Sequence, residues 1–142
     1  LLLQQPSFRY KIIICGKGLP EEMNELKAYA DKNIIYAGFI SDIAIYYKAA
    51  DIFLNPVLSG GGVKTKIVEA IAYGTTVIST ETGAAGMVKD VCGEKLQIVA
   101  DDSWESFERK IIENKSIKNQ TPQEYYNYYF YPNIIERIIR LV

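Results

Sequence analysis

The stretch Ser59–Thr80, SGGGVKTKIVEAIAYGTTVIST, decides how this chain is read. Three consecutive glycines, Gly60, Gly61 and Gly62, run into a helical pattern whose first turns carry Lys64, Lys66 and then Glu69. Val63, Ile67, Ala70 and Ile71 make one apolar stripe over Val63–Tyr73, and Gly74 is a suitable residue to end the helix. Thr75–Ser79 follows as a strand. The start of the helix breaks an electrostatic rule, because the N-terminal end of a helix dipole is positive and ordinarily draws Asp or Glu. Two cations beside free backbone N–H groups and a glycine approach make sense if an anion sits among them. A phosphate-bearing ligand is the expectation.

The same alternation of strand and helix extends to both sides. Upstream, Phe8–Cys15 reads as a strand, Pro20 opens a helix to about Asp31, and Ile34–Ala37 is a short strand. Gly38-Phe39-Ile40 is a loop, Ser41 or Asp42 caps a helix to Ala50, and Asp51–Asn55 is a strand ended by Pro56. Downstream come a loop over Thr80–Val91 with a short helix, and a strand at Leu96–Val99. A helix then begins at Asp102 with Trp104, Phe107 and Ile111 inward. Thr121-Pro122-Gln123-Glu124 reads as a capping box for a last helical segment, broken at Pro132. This is the pattern of an α/β protein, a Rossmann-like doubly wound parallel sheet flanked by helices. Ligands of such sheets bind beyond the carboxyl ends of the strands, where the glycine loop falls.

Composition narrows the chemistry. The 142 residues suffice for one domain with a core, and a net charge of −1 offers no general attraction to nucleic acid or an anionic membrane. There is no histidine, so Ser/His/Asp and Cys/His catalysis and His-ligated metals are excluded within the chain. Cys15 and Cys92 are too few and too far apart for a disulfide framework or a zinc site, and Cys15 reads as a buried small hydrophobe. No apolar run approaches the length of a membrane span, and a cytoplasmic setting is expected. Leu1-Leu2-Leu3-Gln4-Gln5 lacks an initiator Met and reads like the last turn of a helix, as if the chain began inside a larger polypeptide.

Lys66, Glu69 and Tyr73 share a second face of the Val63–Tyr73 helix. On spacing alone Lys66 and Glu69 are a surface ion pair worth roughly 0.3 kcal/mol. That reading leaves the cations of the first turn unexplained. Neither the Walker pattern GxxxxGK[ST] nor the dinucleotide fingerprint GxGxxG is present.

From Tyr10 to about Met87 the chain resembles the C-terminal half of group 1 glycosyltransferases of the two-domain GT-B architecture. The resemblance is carried by YKIIICGKGLP, IIYAGFISD, AADIFLNP and GGGVKTKIVEAIAYGTTVIST, in order and with spacing kept. It implies a donor site for a nucleoside-diphosphate sugar, with no other cofactor and no metal. Glu69 matches the family's ribose-binding Glu, and its two acceptor oxygens suit a vicinal diol. The N–H groups of Gly61, Gly62 and Val63 would face the diphosphate or sugar. Lys66 and, more weakly, Lys64 would approach the diphosphate, and Gly38, Phe39 and Ile40 match the base-contacting loop. The family's sugar-contacting Glu falls at Gly61, so that carboxylate is missing.

The resemblance further implies that residues 1–142 are one incomplete donor-binding domain. Its first strand and the N-terminal acceptor-binding domain would be missing, along with any catalytic residue of its own. The parent enzyme would be a retaining, metal-independent transferase acting on a glycan or lipid-linked acceptor, in the cytoplasm or peripherally at the inner face of the membrane. Alternatives are a non-catalytic α/β interaction or regulatory module, and a GT-B-shaped epimerase or phosphorylase. The tract Tyr125–Tyr131, YYNYYFY, lacks the basic cluster that base stacking on nucleic acid would need. It is expected to pack on the sheet or to meet the missing half, in which case the chain alone would self-associate.

Overall fold

The computed structural model describes residues 2, 7–18, 33–115 and 119–140, apart from the side chain of Ile138. The helix expected over 20–31 lies outside the described residues. The chain divides into two units, Leu1–Ile43 and Ala44–Val142.

In the first unit, β1 (Ile12–Cys15) and β2 (Ile34–Gly38) pair in parallel, with Ile12 opposite Ile34 and Cys15 opposite Gly38. The β1 strand is shorter than expected, and the rings of Phe8 and Tyr10 stack at 5.9 Å ahead of it. Gly38 turns the chain out of β2 at φ +68, a conformation that favours glycine. The Gly16 amide donates to the Gly38 carbonyl at 2.8 Å, and the Tyr36 hydroxyl donates to the Gly16 carbonyl at 2.9 Å. Both strands therefore end in a tied pair of turns. Cys15 is half-buried, and burial raises its thiol pKa.

The second unit holds β3 (Ile52–Asn55), β4 (Thr76–Thr80) and β5 (Leu96–Val99), parallel and in that order across the sheet. Ile52 lies opposite Thr76, Asn55 opposite Ser79, and Thr80 opposite Val99. All five residues of the central strand β4 are buried, as a parallel strand covered on both faces requires. The α/β class with parallel strands flanked by helices is as expected, and among the described residues the strands pair as a two-stranded and a three-stranded sheet.

Helices α1 (Ile43–Ala49), α2 (Thr65–Ala72), α3 (Lys89–Cys92), α4 (Trp104–Asn114), α5 (Gln123–Tyr129) and α6 (Tyr131–Ile139) complete the described elements. Phe107 of α4 packs with Ile78 and Val99 of the sheet, joined by Ile52, Leu54 and Ile111. Trp104, expected inward, is 42 % exposed at the first residue of α4, its ring tilted against Phe107 at 5.9 Å. Cys92 is buried, and burial, opposed by the charge of Lys89, pushes its thiol up to about 11. Burial of this kind disfavours the thiolate form.

The last turn of α2 shows why the tail is rich in tyrosine. A helix leaves its final carbonyls without internal partners. Here Tyr126 donates to the Ala72 carbonyl at 3.1 Å, the Thr121 hydroxyl to the Ile71 carbonyl, shared with the Gly74 amide, at 2.8 Å, and, one turn earlier, the buried Tyr125 to Val68 at 2.6 Å. The capping box expected at Thr121–Glu124 does not form, since Thr121 spends its hydroxyl on α2 and Pro122 occupies the N-cap position of α5. The aromatic tract accordingly packs on α2 and α3 rather than on the sheet. The Tyr129 hydroxyl accepts from the Val88 amide at 3.0 Å. Lys95, almost wholly buried, donates to the Gly74 carbonyl just past α2, and burial lowers its pKa. A cation there complements the negative end of the helix dipole. Among the described residues no helix is long and apolar enough to cross a membrane.

Candidate functional site

The carboxyl ends of β3 and β4 carry polar side chains that an apolar strand would not need. Asn55, Ser79 and Thr80 are all buried. Asn55 Nδ2 donates to Ser79 Oγ at 2.9 Å, and Ser79 Oγ donates to the Thr80 carbonyl at 3.0 Å. Thr80 Oγ1 reaches the carbonyl of Val57 and accepts from the Gly83 amide at 3.1 Å. This network ties the start of the loop after β3 to the turn after β4. Gly83 is enclosed by it, since a Cβ there would lie 2.4 Å from Asn55 Nδ2.

The glycine loop stands on this base. Gly60 and Gly62 adopt φ of +90 and +75, which only glycine adopts readily. Gly86, at the end of the β4–α3 turn, comes so close that a Cβ there would meet Val63 N at 3.0 Å. Asp101 secures the other flank of that turn, accepting from Thr82 Oγ1 at 2.6 Å and from the Thr82 amide at 2.9 Å. The Thr82 hydroxyl, and after it the Thr82 amide, hold the Asp101 carboxyl below its ordinary value. The helix expected to begin at Asp102 starts at Trp104 instead, with Ser103 as its N-cap.

Lys64 is the N-cap residue of α2, which begins at Thr65, two positions later than the start expected at Val63. Val63 therefore sits in the loop, 49 % exposed, and the buried stripe of α2 is Ile67, Ala70 and Ile71. Lys64 Nζ folds back on the loop and donates to the carbonyls of Gly60, Gly61 and Gly62 at 3.1, 3.0 and 3.4 Å. Among the described residues the N–H groups of Gly61, Gly62, Val63, Thr65 and Lys66 have no acceptor. Drawing the carbonyls to one cation leaves these amides for another partner. We expect Lys64→Met to leave the melting temperature within a few degrees of the parent. The backbone of residues 60–62 should become more mobile, with lower NMR order parameters, since exposed bonds of this kind stabilise by about 1 kcal/mol. Unchanged order parameters would show that the lysine does not hold the loop.

Lys66 and Glu69 follow on exposed positions of α2. They do not pair with each other, and Lys66 makes no hydrogen bond or ion pair with any described residue. Glu69 Oε2 instead accepts from the Tyr47 hydroxyl at 3.3 Å. The Tyr47 ring stacks on Tyr73 at 5.9 Å and meets Phe53 edge-on at 5.6 Å. The second unit thus brings together Gly61, Gly62, Val63, Lys64, Lys66 and Glu69 along one loop and helix. Gly38, Phe39 and Ile40 belong to the first unit, where Phe39 is exposed and Lys17 Nζ lies 4.2 Å from its ring centre. Sequence reasoning missed Tyr47 and the Asn55–Ser79–Thr80–Gly83 base. The available signal was the polar close of two apolar strands, IFLN and TVIST.

The chain is 30 % identical over 119 residues to an uncharacterised glycosyltransferase of Methanocaldococcus jannaschii, covering 76 % of the chain and 30 % of that protein. It is 32 % identical over 98 residues to an uncharacterised 44.6 kDa protein in the cps region of Klebsiella pneumoniae, covering 65 % of the chain and 25 % of that protein. The chain therefore spans less than a third of either relative. Among solved structures it is similar to Anabaena HepE in complex with UDP, at a TM-score of 0.71 and 18 % identity over 99 % of the chain and 42 % of HepE. The UDP-glucose complex of HepE gives a TM-score of 0.66 at 19 % identity. The family model of the group 1 glycosyl transferases matches residues 1–114, and the chain belongs to that family.

Proposed function

We propose that this chain binds the nucleoside-diphosphate part of a sugar donor at the mouth of α2, within a retaining glycosyltransferase that uses no metal ion. The observation that carries the reading is the set of amides at Gly61, Gly62, Val63, Thr65 and Lys66 that have no acceptor among the described residues, beside the ammonium of Lys66, which has no partner among them either. A nucleoside diphosphate leaving from the anomeric carbon gathers negative charge on its terminal phosphate. Donors aimed at that charge before the bond breaks stabilise the transition state more than the ground state. The amides and the helix dipole supply fixed positive potential, and Lys66 adds a mobile charge. Lys64 contributes by shaping the loop.

Glu69 lies about one turn beyond Lys66, and its carboxylate oxygens suit the ribose hydroxyls. HepE, whose fold the chain shares, binds UDP and UDP-glucose, which makes uridine diphosphate the natural first probe. Retention at the anomeric carbon follows from the family reading. Recognition of a glycan or lipid-linked acceptor is assigned to the part of the longer enzyme that this chain does not span. A cytoplasmic setting, where nucleotide sugars are made, fits this reading.

Calorimetric titration with UDP and with uridine tests it. The diphosphate should bind about tenfold or more tighter than the nucleoside, with an affinity that falls as salt is added. Lys66→Ala should weaken UDP about threefold to tenfold while leaving uridine unchanged. Equal binding of UDP and uridine, or no binding of either at millimolar concentration, would overturn the proposal.

A further inference from the structure

We infer that Tyr47 is a positioning residue for the donor ribose, presetting the Glu69 carboxylate before any ligand arrives. This rests on the reading of Glu69 as the ribose acceptor. A glutamate on an exposed helix face samples several rotamers, and ordering it on binding costs affinity. Tyr47 removes part of that cost. Its ring is 5 % exposed and is fixed by the stack on Tyr73 and the edge contact with Phe53. Its main chain is held too, because the buried Thr75 hydroxyl donates to the Tyr47 carbonyl. A rigid ring thus presents one hydroxyl to Glu69 Oε2 at 3.3 Å.

The arrangement leaves the carboxylate able to work. An ionised carboxylate offers about four lone-pair sites, and the tyrosine takes one of them. Oε1 and the second lone pair of Oε2 remain for two ribose hydroxyls. Tyr73 lies one turn after Glu69 on the same side of α2, so the stack that fixes Tyr47 also sets the distance between α1 and the carboxylate. Lys48 reinforces this, with its Nζ 5.3 Å from the centre of the Tyr73 ring. An ordinary packing role would need the ring but not the hydroxyl. An ordinary structural hydrogen bond would be indifferent to what the ribose carries.

The test compares UDP with 2′,3′-dideoxyuridine diphosphate in the unaltered protein and in Tyr47→Phe, Glu69→Gln and the double variant. The unaltered protein should prefer UDP. Tyr47→Phe keeps the ring and should weaken UDP about threefold to tenfold, leave the dideoxy compound unchanged, and shrink the preference by the same factor. In the Glu69→Gln background the tyrosine substitution should change neither affinity. Equal weakening of both ligands, or no change in either, overturns the positioning role. So does a Tyr47→Phe protein that melts many degrees lower, since the hydroxyl would then belong to the fold. If Glu69→Gln retains the full preference for UDP, the ribose reading of Glu69 itself fails. If Glu69→Gln loses the preference while Tyr47→Phe keeps it, that reading stands and only the tyrosine's part is lost.

Discussion

Gly83→Ala is expected to destabilise the second unit by about 3 kcal/mol, lowering its melting temperature by about 15 °C. The added methyl would lie 2.4 Å from Asn55 Nδ2, 2.6 Å from Ser79 Oγ and 2.7 Å from Thr80 Oγ1. None of the three is the free end of a flexible chain. Each is buried and already committed to its neighbours, with Asn55 bonded to Ser79, Ser79 to the Thr80 carbonyl, and Thr80 to Val57 and Gly83. Overpacking alone costs about 1–3 kcal/mol, and each buried polar group forced off its partner costs about as much again. Gly74→Ala is the matched control. Its φ of +86 is strained for alanine, but a Cβ there meets nothing within 4 Å, so a cost of about 1 kcal/mol is expected. Thermal or urea melting of the two variants measures the difference. Equal stabilities would show that the polar base beneath the loop yields easily, contrary to the packing described.

Glu69→Ala should have the opposite profile, with stability nearly intact and nucleotide affinity lost. Glu69 is exposed, and its side chain bonds only the Tyr47 hydroxyl among the contacts described, so folding loses little. Hydrogen bonds to a charged group contribute about 1.5–3 kcal/mol when the alternative is an unmet ribose hydroxyl. The expected loss in UDP affinity is therefore about tenfold to hundredfold. What remains should come from the amides of the glycine loop and Lys66, and should respond more strongly to salt than the parent does. Titration at two ionic strengths reads both effects. A variant that binds UDP as the parent does would remove Glu69 from the site.

Much of this was legible because it is local. Leu96–Val99 was read with its observed bounds, since a short apolar run between a turn and a helix leaves little choice. The core-facing side of α2 was legible in Ile67, Ala70 and Ile71. So was the shared side of Glu69 and Tyr73, both of which meet Tyr47. What escaped depends on partners distant in sequence. Thr121 looked like a cap because Glu124 follows it at the right spacing, but the carbonyl of Ile71, fifty residues earlier, takes its hydroxyl. Asp102 was read as the start of a helix, but nothing in the sequence pointed to its neighbour Asp101, whose carboxylate is taken by Thr82. Asn55, Ser79 and Thr80 carry no periodic signature, and only the register of β3 against β4 shows that they meet. Lys64 was legible as a cation, but the direction of its side chain depends on three carbonyls that a sequence does not aim.

The fastening of α2 from behind has a consequence for how this scaffold can change. Thr121, Tyr125 and Tyr126 clamp carbonyls of the helix, while the loop and the first turn assigned to the diphosphate take no part in the clamp. Retention of the rod and selection of its cargo are thus separate duties, borne by segments some fifty residues apart. Grafting a different 58–64 loop onto this chassis should change the chemistry at the mouth of α2 without unseating the rod, and random drift in a lineage would have the same freedom.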